Sequence, residues 1–335
     1  MTESASVKER GLIDSFGRRI DYVRLSVTDR CDLRCRYCMA ERMQFLPKRE
    51  ILTLEELVAL ADILIARGVR KIRLTGGEPL VRRGVLDLVR ALGQKLGEGL
   101  QELTLTTNAT RMERFAAELH EAGVRRVNIS LDSRQPERFA HITRGGDVHQ
   151  VLRGVDAALC VGLAVKINMV ALAGVNEDEV EDMLRWCAAM GLGLTLIETM
   201  PLGEVEEDRT SHYLPLDVVK RRLEQRLTLV PSLIRSSGPA RYFDVLETSS
   251  RLGLITPLTN NFCAGCDRIR IAATGTVYGC LGHDQKVELR DALRGGGREA
   301  VDALLDRLLA GKPERHDFRI AGSPAVARHM SVTGG

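Results

Sequence analysis

Hydrophobic and polar positions follow a repeating order along residues 22–200, in which a short β-branched run precedes an amphipathic helical segment. Consecutive βα units that form a parallel sheet have this order. Six units can be read, with predicted strands at residues 23–27, 71–75, 102–107, 126–131, 165–170 and 194–198. Six right-handed units fit either a doubly wound sheet or an incomplete barrel, and both folds place functional side chains at the carboxyl ends of the strands.

Two of the intervening helices carry clear start signals. Thr53 and Glu56 have the spacing of a capping box, and the apolar positions after them lie on one helix face as far as Gly68. Asn176 is predicted to be the N-cap of another helix, with Glu179 three positions later and an apolar stripe after it. Both signals place helices between predicted strands, as the βα pattern requires.

The regular alternation of strand-like and helix-like segments ends after Met200, which indicates a second region. A charged loop at 203–209 and a predicted helix at 216–226 lead to a stretch rich in Ser, Gly and Pro at 231–239. Shorter β-like runs and a helix-like segment at 301–310 come after it. We therefore predict three parts: an N-terminal extension at 1–20, a region of βα units at 21–230, doubly wound or an incomplete barrel, and a smaller C-terminal α+β region at 231–335.

Composition narrows the functional classes. The 335 residues are 44% hydrophobic and 28% charged, which is typical of a globular protein, and a net charge of +3 is too small to indicate a nucleic-acid partner. No run of about eighteen apolar residues could span a membrane, and the polar N-terminus lacks the apolar stretch of a secretion signal. We expect a cytoplasmic protein whose eight cysteines are metal ligands, catalytic thiols or core residues and not disulfides.

Three cysteines follow the first predicted strand, at the edge where a functional site is expected. Cys31, Cys35 and Cys38 have C-x3-C-x2-C spacing, and we name them the first triad. Three close thiolates can hold a four-iron cluster and leave one iron open to chemistry. A structural zinc site needs a fourth ligand, and no further Cys or His lies nearby in the sequence.

A second triad, Cys263, Cys266 and Cys280, lies in the C-terminal region. Thiolates at this spacing suit either zinc or an iron-sulfur cluster. His283 could complete a Cys3His zinc site. The residues alone therefore leave both metals open at this triad.

The second predicted strand runs directly into a glycine-rich turn, residues 75–79, with the sequence TGGEP. Glycines at this position allow the backbone to approach a ligand closely. Together with the first triad, the turn resembles the GGEP segment of radical S-adenosylmethionine (SAM) enzymes. The resemblance implies that the first triad holds a [4Fe-4S] cluster, which binds SAM at its open iron and, when reduced, cleaves it to a 5′-deoxyadenosyl radical.

The whole chain resembles one family of that superfamily, the GTP 3′,8-cyclases that begin molybdenum cofactor biosynthesis. The matching segments include both triads and run in order along the sequence: residues 22–38, 69–83, 106–108, 128–133, 166–168, 197–201, 261–270, Cys280 and the Gly-Gly pair at 334–335. The resemblance implies an incomplete (β/α)6 TIM-type barrel with two [4Fe-4S] clusters and SAM as cofactors. It also implies a lyase that converts GTP to (8S)-3′,8-cyclo-7,8-dihydroguanosine 5′-triphosphate and releases 5′-deoxyadenosine and methionine.

The same resemblance assigns residues to the site. Contacts with SAM are implied for Tyr37, Gly77, Ser130 and Met200. Contacts with GTP are implied for Arg24, Arg73, Thr106, Lys166, Arg268, Ile269 and Arg270, and catalytic roles for Arg268 and Arg270. A triphosphate needs several cations, and charges inside apolar strand runs would be costly without a partner. Strand alternation places Arg268 and Arg270 on the same face.

The implied reaction begins when the 5′-deoxyadenosyl radical removes the 3′ hydrogen of GTP. The carbon radical attacks C8 of the guanine, which the second cluster holds, and a second electron and a proton complete the product. The resemblance further implies a reduced electron donor, a homodimer, a Gly-Gly tail that reaches the active site, and cyclic pyranopterin monophosphate synthase as the next enzyme. Two alternatives stay open: a radical SAM enzyme that matures peptides, and a zinc-stabilised nucleotide-binding regulator without catalysis.

Overall fold

A computed structural model describes residues 11–203, 205, 210–234, 238–260, 262–320 and 324–334. The first six strands are β1 (Tyr22–Ser26), β2 (Lys71–Thr75), β3 (Glu102–Thr107), β4 (Arg126–Ser130), β5 (Ala164–Val170) and β6 (Gly193–Ile197). All six predicted strands are present, and each begins and ends within one residue of its expected position. The short β-branched runs between helical segments therefore located these strands correctly.

Helices alternate with these strands: α1 (Leu54–Ala66), α2 (Val85–Gly93), α3 (Met112–Glu121), α4 (Pro136–Thr143), α5 (Val148–Cys160) and α6 (Val180–Ala189). The predicted capping box is present at the start of α1. The Thr53 hydroxyl accepts from the N–H of Glu56, and the Glu56 carboxylate accepts from the N–H of Thr53. The order of strands and helices confirms the predicted βα units.

The predicted N-cap of α6 is wrong. The Asn176 side chain donates to the carbonyl oxygens of Asp132 and Val170 and accepts from the N–H of Leu172, all at 2.8 or 2.9 Å. A short 3₁₀ turn, Glu177–Glu179, separates Asn176 from α6. Asn176 therefore joins the loops after β4 and β5 and does not begin the helix.

The chain after β6 adds six strands and three helices within the described residues: β7 (Leu229–Pro231), β8 (Arg241–Val245), β9 (Ser250–Ile255), β10 (Arg268–Ile271), β11 (Thr276–Tyr278), β12 (Lys286–Glu288), α7 (Leu216–Leu223), α8 (Gly297–Ala310) and α9 (Met330–Thr333). Both predicted helices are present, although α7 ends earlier and α8 begins earlier than expected. Parts of the predicted loops, at 204, 206–209 and 235–237, lie outside the described residues.

The described strands form one open sheet, in the order β12-β11-β10-β1-β2-β3-β4-β5-β6-β9-β8-β7. Strands β1 to β6 are parallel neighbours, as predicted for the incomplete barrel, and β10 and β9 extend the parallel part beside β1 and β6. The C-terminal region therefore supplies both edges of the barrel sheet. The proposed domain boundaries at 20/21 and 230/231 stay predictions.

Alternation along the strands divides the sheet into two faces. On β1, Val23 and Leu25 are buried in the hydrophobic core, and Ile72 and Leu74 of β2 belong to the same core. The residue between Val23 and Leu25 is Arg24, which points to the opposite face. One set of strands thus supplies the core with apolar side chains and the other face with polar ones. No helix among the described residues is long and apolar enough to cross a membrane.

Candidate active site

The first triad lies in the loop after β1. None of its cysteines forms a disulfide. Burial raises the pKa of Cys31 to about 12 and that of Cys35 well above its usual value. Such thiols are poor nucleophiles by themselves, whereas a coordinated metal removes the thiol proton outright. The donor set therefore fits a resident metal group better than a catalytic thiol.

The glycine-rich turn packs directly against this loop. Gly77 donates its N–H to the carbonyl oxygen of Thr28 at 2.9 Å, and Glu78 donates to that of Arg30 at 2.8 Å. A Cβ atom added to Gly77 would lie 2.4 Å from the carbonyl oxygen of Arg30 and 2.9 Å from Cβ of Cys31. Glycine is therefore required where the turn meets the first triad.

Glu78 connects the glycine-rich turn to the end of β3 through hydrogen bonds. Its buried carboxylate accepts from the N–H groups of Leu80 and Asn108 and from the hydroxyl of Thr107. Burial raises the pKa of Glu78 to about 7, although these hydrogen bonds favour the ionised form. The amide of Asn108 also lies 3.8 Å from Sγ of Cys31. The carboxylate thus connects the turn to a side chain that contacts the first triad.

The predicted SAM contacts come from several elements of the fold. Tyr37 lies within the first triad, and its hydroxyl donates to Asp132 at 2.7 Å. Asp132 also accepts from the N–H of Val170 at 2.8 Å, and burial raises its pKa to about 6. Ser130 ends β4, and Met200 follows β6. The predictions gave Asp132 no role, although a carboxylate just after a barrel strand was a signal that could have found it.

A cavity lies beside the second triad. Seven basic side chains line it: Arg24, Lys71, Arg73, Arg126, Lys166, Arg268 and Arg270. Cys263, Cys266, Cys280 and Met200 line the same cavity. The structure therefore brings most of the predicted GTP contacts together with the second triad.

We call the seven Lys and Arg side chains that line the cavity the cationic wall. The register of the strands places several of them side by side. Arg24 on β1 pairs with Arg270 on β10 at one side and with Arg73 on β2 at the other. The three guanidinium groups therefore come from neighbouring positions of adjacent strands. Tyr22 occupies the equivalent place two residues earlier, between Arg268 and Lys71. Its ring lies 5.1 to 5.6 Å from three of the cationic groups.

Several of these cations lack an anionic partner. Arg24, Arg73, Lys166 and Arg270 form no ion pair with a carboxylate of the described residues, and the Nε atoms of Arg24 and Arg73 are buried without a hydrogen-bond partner there. Burial, followed by the charge of Arg270, lowers the pKa of Arg24 well below its usual value. Burial and then Arg73 lower that of Lys166 to about 7. Because unpaired buried charges are costly, the wall fits an anionic ligand.

Four further positions, two predicted and two unassigned, differ from the cationic residues in their surroundings. The side chain of Ile269 lies in the hydrophobic core with no exposed surface, so only its main chain is available to a ligand. Thr106 does not line the cavity, and its buried hydroxyl has no hydrogen-bond partner among the described residues. Asn128 and Asn168 do line it with unpartnered amide oxygens, although the sequence gave them no role.

The candidate fourth zinc ligand of the second triad, His283, has a different partner. No three His, Cys, Asp or Glu side chains of the described residues are placed to hold a single metal ion. His283, the candidate fourth ligand, lies with Nε2 at 3.0 Å from the carbonyl oxygen of Arg315. An all-thiolate set of Cys263, Cys266 and Cys280 that faces a cavity suits a cluster with an open iron.

The C-terminal segment, residues 324–334, contacts the loop after β6 and the cationic wall. The N–H of Ala325 donates to the carbonyl oxygen of Pro201 at 2.9 Å, which joins the segment to the loop after β6. Gly334 accepts from Nη1 of Arg270 at 2.8 Å. A Cβ atom on Gly334 would lie 2.1 Å from Oγ1 of Thr75, and φ is +72°, so this position requires glycine. Gly335, the other residue of the predicted tail, lies outside the described residues.

Comparison with known proteins agrees with this geometry. The profile of the Radical SAM superfamily matches residues 25–187, and that of Molybdenum Cofactor Synthesis C matches residues 192–318. The chain is 56% identical to a GTP 3′,8-cyclase of Sinorhizobium medicae, over 97% of this chain and 94% of the relative. It is 57% identical to a GTP 3′,8-cyclase of Erythrobacter litoralis, over 97% and 98%.

A solved structure supports the fold. Streptococcus suis SuiB bound to its precursor peptide SuiA is similar with a TM-score of 0.61 at 15% identity, over 87% of this chain and 67% of that one. At this identity the likeness concerns the fold alone. The family rests on the close relatives, with which the chain shares more than half its residues over nearly its whole length. The chain therefore belongs to the radical SAM superfamily and, within it, to the GTP 3′,8-cyclase family.

Proposed function

We propose that this chain converts GTP to 3′,8-cyclo-7,8-dihydro-GTP in the first step of molybdenum cofactor biosynthesis, and releases 5′-deoxyadenosine and methionine. The observation that carries the proposal is the cavity that seven Lys and Arg side chains line together with the second triad. An anionic nucleotide fits both parts, because its phosphates need several cations and its base offers nitrogen and oxygen ligands to an open iron.

Two [4Fe-4S] clusters and SAM are the cofactors of this family, and the thiols present fit them. Cys31, Cys35 and Cys38 would hold the SAM-binding cluster, and Cys263, Cys266 and Cys280 the second. When bound and reduced, the first cluster with SAM supplies the 5′-deoxyadenosyl radical that abstracts hydrogen. The remaining tasks of binding, orientation and exclusion of water belong to the protein.

We assign SAM binding to the residues around the first triad. Gly77 has no side chain, so its backbone lies directly against Arg30 and Cys31 of the triad loop. The Ser130 hydroxyl can donate to a carboxylate, and Met200 contributes a flexible apolar contact. The hydrogen bond to Asp132 fixes the ring of Tyr37 within the triad loop.

We assign GTP binding to the cationic wall. Arg24, Arg73 and Lys166 hold the phosphates from the barrel side, and Arg268 and Arg270 approach from β10. Their charges also stabilise negative charge that develops on the nucleotide, which is the basis of the catalytic role proposed for the two β10 arginines. The Gly334 carbonyl orients Arg270, so the tail positions one of these groups. Thr106 and the main chain of Ile269 complete the proposed contacts.

The proposal includes partners and a location. One reduced donor supplies the electron that starts SAM cleavage and the second electron that completes the product. Cyclic pyranopterin monophosphate synthase is the next enzyme, and the working form is a homodimer. The cytoplasm is the proposed compartment, because its reducing conditions keep thiols available for iron.

The test is an anaerobic incubation of reconstituted protein with GTP, SAM and a strong reductant, followed by mass spectrometry. We expect both 5′-deoxyadenosine and a cyclised product of GTP. 5′-Deoxyadenosine without a nucleotide product would reject GTP as substrate. Absence of both from protein with two intact clusters would overturn the proposed reaction.

Arginine variants test the GTP assignment separately. Arg268→Ala or Arg270→Ala should weaken GTP binding, measured by calorimetry, and leave slow SAM cleavage possible. Arg221→Ala is the matched control, because this arginine is exposed on α7 and pairs only across the helix surface with Asp217. Wild-type GTP affinity in both β10 variants would contradict the assignment.

A further inference from the structure

Lys312 is a buried cation that contacts the second triad and has no role in the reaction proposed above. It is 3% exposed, and its Nζ lies 3.4 Å from Sγ of Cys266. Within the described residues this sulfur is the only hydrogen-bond partner of the ammonium group. A buried ammonium without a carboxylate partner is costly unless another anionic group compensates it. The position therefore points to negative charge on the triad itself.

The lysine is held in this position by packing on two sides. It follows the end of α8, and its N–H donates to the carbonyl oxygen of Leu309 at 3.2 Å. Gly279, which precedes Cys280, leaves room for the lysine stem: a Cβ atom there would lie 3.3 Å from Cγ of Lys312. The aliphatic stem is therefore confined between the helix end and the triad loop, and the ammonium is directed at the sulfur.

The guanidinium group of Arg18 connects the residues after Lys312 to the loop that carries Cys263. Arg18 donates to the carbonyl oxygen of Cys263 at 2.9 Å and to those of Pro313 and Glu314 at 2.7 and 2.6 Å. Asp14 holds the guanidinium through Nε at 2.6 Å. The segment that carries the lysine cannot move away from the triad without loss of these hydrogen bonds.

We propose that Lys312 is a positioning residue that raises the reduction potential of the second cluster by holding its positive charge against the Cys266 sulfur. The inference rests on the proposed function, because it requires an iron-sulfur cluster on the second triad. Hydrogen bonds to the sulfurs and net charge are known determinants of cluster potentials. The step concerned is the gain of one electron from the reduced donor; no bond forms or breaks and no proton moves.

Electrostatics determines the direction in which Lys312 changes the reduction potential. Reduction adds one negative charge to a cluster that three thiolates already make anionic. A fixed positive charge in contact with one sulfur therefore stabilises the reduced form more than the oxidised form. Burial strengthens the effect, because little water screens the pair. The lysine thus favours acceptance of an electron by the cluster that faces the substrate cavity.

The experiment compares Lys312→Met, Lys312→Gln and Lys312→Arg in a background where Cys31, Cys35 and Cys38 are all serine, so that only the second cluster is loaded. The midpoint potential is measured by redox titration with electron paramagnetic resonance, without SAM or GTP. We expect Lys312→Met to lower the ratio of reduced to oxidised cluster about tenfold at a fixed ambient potential, which is about 59 mV for one electron. Lys312→Arg keeps the charge and should restore most of the difference.

Iron content and circular dichroism show which variants hold an intact cluster. If Lys312→Met loses iron, Lys312→Gln replaces it as the neutral variant, since its amide can still donate to sulfur. A wild-type potential in an intact neutral variant would overturn the inference and leave the proposed function standing. Failure of the wild-type second triad to bind any cluster would instead overturn the proposed function, so the two failures are distinguishable.

Discussion

Replacement of Gly77 by alanine tests whether the glycine-rich turn must lie directly against the first triad. The new Cβ atom would lie 2.4 Å from the carbonyl oxygen of Arg30 and 2.9 Å from Cβ of Cys31, and real Cβ atoms essentially never come within 3.0 Å of another atom. The nearest atom belongs to the backbone, so no side-chain rotation relieves the overlap. The turn and the triad loop must move apart.

The structure sets the expected magnitude. Overpacking of this kind costs about 1–3 kcal/mol. The separation also weakens the hydrogen bonds from Gly77 to Thr28 and from Glu78 to Arg30, each of which contributes about 0.5–1.5 kcal/mol. We expect Gly77→Ala to lower the free energy of unfolding by about 2–4 kcal/mol. We also expect the first cluster to be lost, because the loop that holds Cys31 is displaced.

The assay is iron content per chain after anaerobic reconstitution, together with denaturant unfolding. Gly265→Ala is the matched control, because this glycine lies between Cys263 and Cys266 and a Cβ atom there meets nothing within 4 Å. The control should retain both clusters, whereas Gly77→Ala should retain only the second. Full iron content and wild-type stability in Gly77→Ala would refute the reasoning.

Two further predictions concern the cavity and the turn. The pKa of Lys166 is about 7, so its charge is present below that pH and lost above it, and GTP affinity should fall about tenfold from about pH 6 to pH 8 through this group. Lys166→Met should remove that component in calorimetric titrations; an unchanged profile would contradict it. Glu78→Ala leaves donors of Leu80, Thr107 and Asn108 unsatisfied, at about 1–3 kcal/mol each. Denaturant unfolding should show a smaller loss for Glu78→Gln, which keeps one acceptor oxygen, and equal losses would exclude this role of the carboxylate.

Local sequence signals predicted the positions of the strands and helices well, but not the start of every helix. The capping box of Thr53 and Glu56 is formed within one turn, so it could be read directly. Asn176 had the same kind of signal, yet its amide bonds to the loops after β4 and β5. The sequence could not show this competition, because Asp132 lies in the preceding βα unit and meets Asn176 only in the folded barrel.

The sequence could likewise predict some residues of the site and not others. Arg24 and Arg73 could be suspected from sequence, because a charge within an apolar strand needs a partner. The pairing of Arg24 with Arg270 could not be derived from periodicity, since strand order is a property of the whole sheet. Lys312 gave no signal at all, because a lysine after a helix end is usually solvated. Its burial against Cys266 depends on long-range packing.

The pairing of β10 with β1 also has a consequence for biosynthesis. The two strands lie near opposite ends of the chain, so this pairing has high contact order and must wait until the C-terminal region has left the ribosome. A polypeptide truncated before β10 would keep the first triad and the glycine-rich turn but lack Arg268, Arg270 and Cys280. Such a fragment would also leave β1 without its β10 neighbour, so the cationic side of the cavity is assembled only after synthesis has passed β10.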